Sequence, residues 1–398
     1  MKFTKIAAIF IIPLIILSGL CFSIFAADDG EGSVPPESIV TDAPTADLGL
    51  ECKSAVLMEA STGRVLYEQN ADEALPPASV TKVMTLLLVM EAIEDGKISL
   101  DDMVSTSAHA ASMGGSQIYL EEGEQMSVED MVKSVVISSA NDAACALAEY
   151  VSGSEEAFVK AMNERAAELG MKNTSFENTN GLDDTAERHL TSAKDIAIMS
   201  RELIKHKKIL EYSSIWIDTV RNGLFGLTNT NRLVRFYRGC TGLKTGSTSK
   251  AGFCISATAE RDGMSLICVI MGSPSRDTRN AAATALLDWG FANYGVYTHT
   301  PEELSPIKVT GGVKDEALIE CSPFSYVTEK GAASKIEYKI ELPESVAAPV
   351  KDGDIVGRVV YTRGGSEIGS SDIIVCEEVS KIGFLELWYR MLAKFLLR

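Results

Sequence analysis

One stretch limits what this chain can become more than any other. It is Pro76-Pro77-Ala78-Ser79-Val80-Thr81-Lys82, followed at once by the apolar run Val83-Met84-Thr85-Leu86-Leu87-Leu88-Val89-Met90. The paired prolines block a helix, and the residues after them favour one. The run has no polar face, so its helix should be buried all round rather than lie on a surface. That helix opens with a hydroxyl and an ammonium, Ser79 and Lys82, three positions apart and so on one face, one turn apart. They stand at the end where the helix dipole favours negative charge. A serine in that setting can be made nucleophilic without a histidine.

The rest of the chain has to supply the surroundings. With 398 residues, 46% of them hydrophobic, it can bury a large core and divides into two domains. Met1-Lys2-Phe3-Thr4-Lys5 and the apolar Ile6 to Leu20 read as a secretory signal peptide over residues 1–27, with an uncleaved N-terminal anchor as the alternative, and either places the bulk of the protein outside the cytoplasm. Residues 28–50 carry six acidic residues, three prolines and no Lys or Arg, a solvated linker. A catalytic domain is expected over 51–298. Ser54 to Glu59 and Arg64 to Glu68 flank a Ser61-Thr62-Gly63 turn, and Gly252 to Glu260 and Met264 to Gly272 flank Arg261-Asp262-Gly263, giving two hairpins. Between them lie helical segments. One is capped at Ser127 and runs to about Ile137, and after a break at Ser138 to Asn141 another spans Asp142 to Val151. A third is capped by Ser154 and ended by Gly170, and a fourth spans Thr191 to Lys207. Ser275 to Tyr294 closes with a helix. Early and late strands should therefore complete one antiparallel sheet around a helical insert, an α+β arrangement.

From about Pro301 short alternating β segments with Gly turns predict a separate small β-sandwich domain, 299–380. In the tail, 381–398, Glu386, Arg390, Lys394 and Arg398 recur every four residues as a narrow polar stripe among apolar residues. That pattern suits an amphipathic helix on a membrane surface rather than a span, the alternative being a helix docked on its own β domain.

A net charge of −18 excludes nucleic acid as a partner, because phosphate neutralisation needs the opposite sign. Cys52, Cys145, Cys240, Cys254, Cys268, Cys321 and Cys376 are scattered singly, with no His at ligand spacing, so neither a metal nor a cofactor is expected. Cys145, Cys254 and Cys268 lie in apolar segments and read as buried thiols.

Ser-x-x-Lys occurs three times, at Ser79/Lys82, Ser247/Lys250 and Ser305/Lys308, and only the first opens a buried helix. Two further motifs accompany it: Ser139-Ala140-Asn141 at the break between two helices, and Lys244-Thr245-Gly246 just before the β-rich run. The three together, in this order, resemble those of the penicillin-interacting serine peptidases and β-lactamases. Within that group the chain is similar to the low-molecular-mass penicillin-binding proteins that act as D-alanyl-D-alanine carboxypeptidases. Ile118-Tyr119-Leu120-Glu121-Glu122-Gly123-Glu124, Asn141-Asp142-Ala143-Ala144, Asn180-Gly181-Leu182-Asp183-Asp184 and Thr241-Gly242-Leu243-Lys244-Thr245-Gly246 carry the likeness. It runs from about Ser54 to Tyr294 and continues through the β domain and tail. Asn229-Thr230-Asn231-Arg232-Leu233 resembles the Gram-positive, sporulation-associated branch. The resemblance implies a β-lactamase/transpeptidase-like domain. It also implies peptidoglycan stem peptides and β-lactams as ligands, and attachment to the outer face of the cell membrane.

The expected roles follow from residue type. Ser79 would attack a peptide carbonyl and form an acyl-enzyme. Lys82 would take its proton, which requires burial and the nearby Lys244 ammonium to keep Lys82 neutral. Ser139 would relay a proton to the leaving amine, and Asn141 would hold the substrate amide. Lys244, Thr245 and Ser247 would engage the terminal carboxylate, and Gly246 would let the strand come close to substrate. The N–H groups of Ser79 and Ser247 would form the oxyanion hole. A His-based triad is a poor rival, because His109, His189, His206 and His299 are scattered. A β-lactamase of the same fold stays open, since Glu187-Arg188-His189-Leu190-Thr191 faintly resembles the deacylating segment of class A enzymes. So does a non-catalytic binder of peptidoglycan or β-lactam.

Overall fold

Six consecutive buried residues, Ser54–Glu59, form strand β1, which pairs on one side with β2, Val65–Gln69. On its other side lie β3 (Cys240–Thr248), β4 (Gly252–Arg261) and β5 (Met264–Ser273), in the order β2-β1-β5-β4-β3. Every pairing is antiparallel. The computed structural model describes residues 47–183, 186–301, 304–332 and 335–396; the expected leader and the linker as far as residue 46 lie outside the described residues.

The expected sheet is present, closed by the two ends of the domain. Asp262 and Gly263 both have positive φ, 51° and 76°, and Arg261 pairs with Met264. That is the two-residue turn whose twist matches antiparallel strands. Along β1 the side chains alternate: Val56 and Met58 enter one apolar cluster, Ala55 and Leu57 another. The first cluster holds helices α1 (Lys82–Glu94), α2 (Asn141–Ser152), α3 (Glu155–Glu168) and α4 (Ala193–Leu203). The second packs α5 (Arg276–Asn293) against the opposite face.

Helix α1 is buried nearly all round, with Leu88 half-buried against the core. The helix expected from Thr191 to Lys207 is present but ends earlier, at Leu203. Helix α4 is capped by Ser192, whose Oγ accepts the Asp195 N–H at 3.1 Å, and a second helix spans Lys207–Ser213. Between them His206 leaves helical geometry (ψ 87°) and sets its ring 2.7 Å from Glu94. The hairpin Ile217–Val220/Phe225–Thr228 was not anticipated.

Beyond α5, strand Tyr294–His299 pairs with Phe324–Glu329 and runs across the expected domain boundary at 298/299. Arg64 ties the units together by donating to the Val327 carbonyl at 2.8 Å. A four-stranded sheet and a smaller three-stranded one then enclose a separate core of Val309, Ile319, Val359, Tyr361, Ile373 and Val375. The final helix, Phe384–Leu396, leaves Phe384, Leu385, Trp388, Tyr389 and Met391 exposed, while Arg390 turns inward to the Val313 carbonyl and, at 3.5 Å, Asp315. None of the described helices is long and apolar enough to cross a membrane.

Candidate active site

The site is built on the turn ahead of α1. Pro77 leads into one 3₁₀ turn, Ala78–Thr81, with Ala78 at φ 48°, a conformation that a residue with a Cβ adopts only under constraint. The turn leaves Ser79 partly exposed while Ala78, Val80 and Thr81 are buried, so the hydroxyl can be reached from solvent. Beneath it, Thr81 Oγ1 donates to the Ala78 carbonyl at 2.8 Å and lies 2.7 Å from His189 Nε2. His189 Nδ1 accepts the Glu177 N–H at 3.0 Å, which assigns the proton to Nε2 and makes the ring a neutral donor to Thr81. Burial pushes His189 down to about 4, consistent with that state.

Lys82 Nζ lies 3.0 Å from Ser79 Oγ and 2.8 Å from the Asn180 carbonyl, and its side chain has no solvent exposure. Burial first, and the Lys244 ammonium second, hold Lys82 well below the ordinary lysine range, against a smaller opposing pull from Asp142. Lys244 is itself buried and donates to the Thr245 carbonyl at 2.9 Å. Desolvation and then the Arg279 guanidinium lower it to about 7. Two ammonium groups in such a pocket titrate as a pair, each favouring loss of the other's proton.

The second wall comes from a π-helical turn, Ser134–Ser138, that ends with Ser139 in the left-handed region at φ 65°. Such turns concentrate at functional sites because they re-aim one side chain. Among the described residues, the Ser139 hydroxyl bonds to neither lysine. Asn141 donates through Nδ2 to the Gly114 carbonyl at 2.6 Å, and its Oδ1 is buried without a partner. The Asp142 carboxylate accepts the N–H groups of Ile118 and Leu120, folding that loop over the site.

The third wall is the edge strand β3. Lys244-Thr245-Gly246 lies in the middle of it rather than at a strand entry. Thr245 Oγ1 donates to Thr230 Oγ1 at 2.8 Å, and the Thr230 N–H donates to the Ile137 carbonyl at 3.0 Å, so Thr230 joins the second wall to the third. A Cβ on Gly246 would lie 2.7 Å from Ser79 N and 2.8 Å from Pro77 O. The close approach at this glycine is therefore to the turn that carries the serine. Ser247 is exposed at the rim.

The remaining Ser-x-x-Lys pairs are elsewhere. Ser247 and Lys250 are exposed, with Lys250 donating to the Asp183 carbonyl at 2.6 Å, and Ser305 and Lys308 are exposed in the β domain. Glu187 is exposed too, its N–H donating to the Glu177 carboxylate, which leaves nothing for the class A likeness to rest on.

Sequence reasoning passed over Asn180, His189, Thr230 and Arg279. Asn180 acts through its backbone, which side-chain chemistry does not reveal. Arg279 is 2% exposed on α5 and donates to Asn280 Oδ1 and, weakly, to the Cys254 carbonyl, with no carboxylate partner among the described residues. Its charge lies against β4 and is felt by Lys244 on β3, where an anionic substrate group would be welcome.

A family model described as D-alanyl-D-alanine carboxypeptidase matches residues 40–275, and one described as penicillin-binding protein 5, C-terminal domain, matches 302–381. The chain is 44% identical to the D-alanyl-D-alanine carboxypeptidase DacF of Bacillus subtilis, over 86% of this chain and 89% of that one. It is 34% identical to DacC of Escherichia coli, over 89% and 90%. Among solved structures, penicillin-binding protein 5 of Haemophilus influenzae superposes with a TM-score of 0.70 at 32% identity, covering 88% of this chain and all of that one. Penicillin-binding protein D2 of Listeria monocytogenes, in its ampicillin-bound form, matches 62% of this chain at 33% identity and a TM-score of 0.57.

Proposed function

The chain belongs to the D-alanyl-D-alanine carboxypeptidase family and is an enzyme of that activity, and we propose that it works through an acyl-enzyme on Ser79. The observation that carries this reading is the 3.0 Å approach of Lys82 Nζ to Ser79 Oγ in a pocket that lowers the Lys82 pKa well below the ordinary lysine value. The Ser79 proton passes to Lys82 as the Oγ–carbonyl bond forms. The C–N bond to the terminal D-alanine then breaks, and that amine takes a proton through Ser139. Water afterwards attacks the ester and frees Ser79.

Asn141, with an unpartnered Oδ1, accepts from the substrate amide N–H. Lys244, Thr245 and Ser247 receive the terminal carboxylate, with the Arg279 field behind them, which gives the enzyme its preference for a chain end. The N–H groups of Ser79 and Ser247 stabilise the oxyanion, each donor worth roughly 3 kcal/mol. A penicillin acylates the same serine and leaves slowly.

The substrate is the peptidoglycan stem pentapeptide, met outside the cytoplasm after export by the leader. The tail helix holds the protein peripherally on the membrane. Its exposed apolar residues, with Arg390 turned toward the β domain, favour that over docking on the protein's own surface. The test is D-alanine release from a diacyl-Lys-D-Ala-D-Ala peptide alongside covalent labelling by penicillin: Ser79→Ala abolishes both, and Ser305→Ala changes neither.

A further inference from the structure

Away from the catalytic pocket, four side chains from three helices converge at the junction of the short helix Ala108–Ala111 with α2 and α3. The ligating atoms of His109, Cys145 and Glu149 all lie within 4.8 Å of one another. Glu155 reaches the same point: its Oε2 is 2.8 Å from His109 Nε2 and accepts from Cys145 Sγ at 3.8 Å. Cys145 and Glu149 are four residues apart on α2 and so share a face. We propose that His109, Cys145, Glu149 and Glu155 form a binding site for a divalent transition-metal ion of the zinc type.

The donor set selects that class. One thiolate, one imidazole and two carboxylates suit a borderline-soft, four-coordinate ion and not the all-oxygen shells of Mg²⁺ or Ca²⁺. The edge of a tetrahedron with Zn–N and Zn–S bonds of normal length is about 3.3–3.6 Å. The observed separations bracket that value, so small side-chain rotations complete the shell. In the metal-free arrangement the Cys145 thiol is fully buried beneath two carboxylates, and a protonated His109 offsets only one of them. A dication offsets the two carboxylate charges and stabilises the thiolate, and the protons displaced from the thiol and from the imidazole leave to solvent. His109 is half exposed and gives the ion a way in.

The site is wired to the catalytic pocket by a short path. Glu155 Oε1 accepts both the N–H (3.1 Å) and the Oγ1–H (2.7 Å) of Thr179, and the next residue, Asn180, accepts from Lys82 through its carbonyl. An ion that fixes Glu155 also fastens the segment that orients Lys82. Cysteine and histidine spacing argued against a metal because the ligands come from three separate elements that only the fold brings together.

The test is a titration of the metal-stripped, reduced full chain with Zn²⁺ in competition with a chromophoric chelator, and with Co²⁺ as the optical probe. One equivalent should bind, a thiolate-to-cobalt band should appear, and Zn²⁺ should raise the melting temperature by several degrees. His109→Ala and Cys145→Ser should each weaken binding at least 10–100-fold, the loss typical even of outer-shell partners. Penicillin labelling verifies that each variant is folded. No uptake by the wild-type chain, or uptake unchanged in His109→Ala, whose exposed side chain can be removed without disturbing the core, would overturn the proposal.

Discussion

The backbone carbonyl of Asn180 accepts a hydrogen bond from Lys82 Nζ at 2.8 Å, and this contact aims the amine at Ser79. A neutral amine so held has one N–H committed to the carbonyl and its lone pair free for the serine hydroxyl 3.0 Å away. The proposed base is thus positioned by main chain, in a segment whose Gly181 packs directly beneath the Ala78 carbonyl.

The first prediction concerns protonation. Burial and Lys244 lower Lys82 well below 10.5, so the rise of penicillin acylation with pH should have its midpoint well below that of an ordinary lysine, and acylation should fall as Lys82 takes up a proton. A rate still climbing through alkaline pH would show an ordinary lysine instead. Lys82→Ala should slow acylation by roughly 10²–10⁴-fold, the usual contribution of a general base.

Gly246 faces the serine turn with no room for a Cβ. Gly246→Ala should push β3 from the turn, cutting acylation and costing about 1–3 kcal/mol of stability, the usual result of overpacking. Stability and acylation both unchanged, by urea unfolding and penicillin labelling, would contradict this contact.

His189 is buried neutral, lowered from 6.5 to about 4. Below pH 6.5 the unfolded chain takes up a proton that the folded protein refuses until about pH 4. Stability therefore declines as pH falls through that window and is fully present above it. The full difference is roughly 3 kcal/mol at 1.36 kcal/mol per unit. His189→Gln should flatten the slope of unfolding free energy between pH 6.5 and 4.

Truncation before Lys381 should release the protein from membranes, because among the described residues nothing covers the exposed apolar side chains of Phe384–Leu396. Persistent membrane attachment after truncation would point to an uncleaved leader.

Much of this was legible in the residues because it depends on local pattern. The all-apolar face after Pro77, the helix caps at Ser127 and Ser154, the Asp262-Gly263 turn and the three motifs each carry a short-range signal. What stayed hidden depends on the fold. The Thr191 to Lys207 pattern is continuous in sequence, yet the helix ends at Leu203, and His206 beyond it meets Glu94 across space. His189 looked isolated because its partner, Thr81, lies 108 positions away. Arg279 sits on what reads as an ordinary helix, and only the sheet packed over it makes its charge part of the site. Asn180 contributes a carbonyl, and every residue has one.

The central claim is that Ser79, activated by Lys82, releases D-alanine from a peptide end. The measurement is D-alanine produced from a diacyl-Lys-D-Ala-D-Ala peptide by the protein and by its Ser79→Ala variant. The account predicts steady release by the first and none by the second. A protein that labels covalently with penicillin at Ser79 yet frees no D-alanine would contradict it.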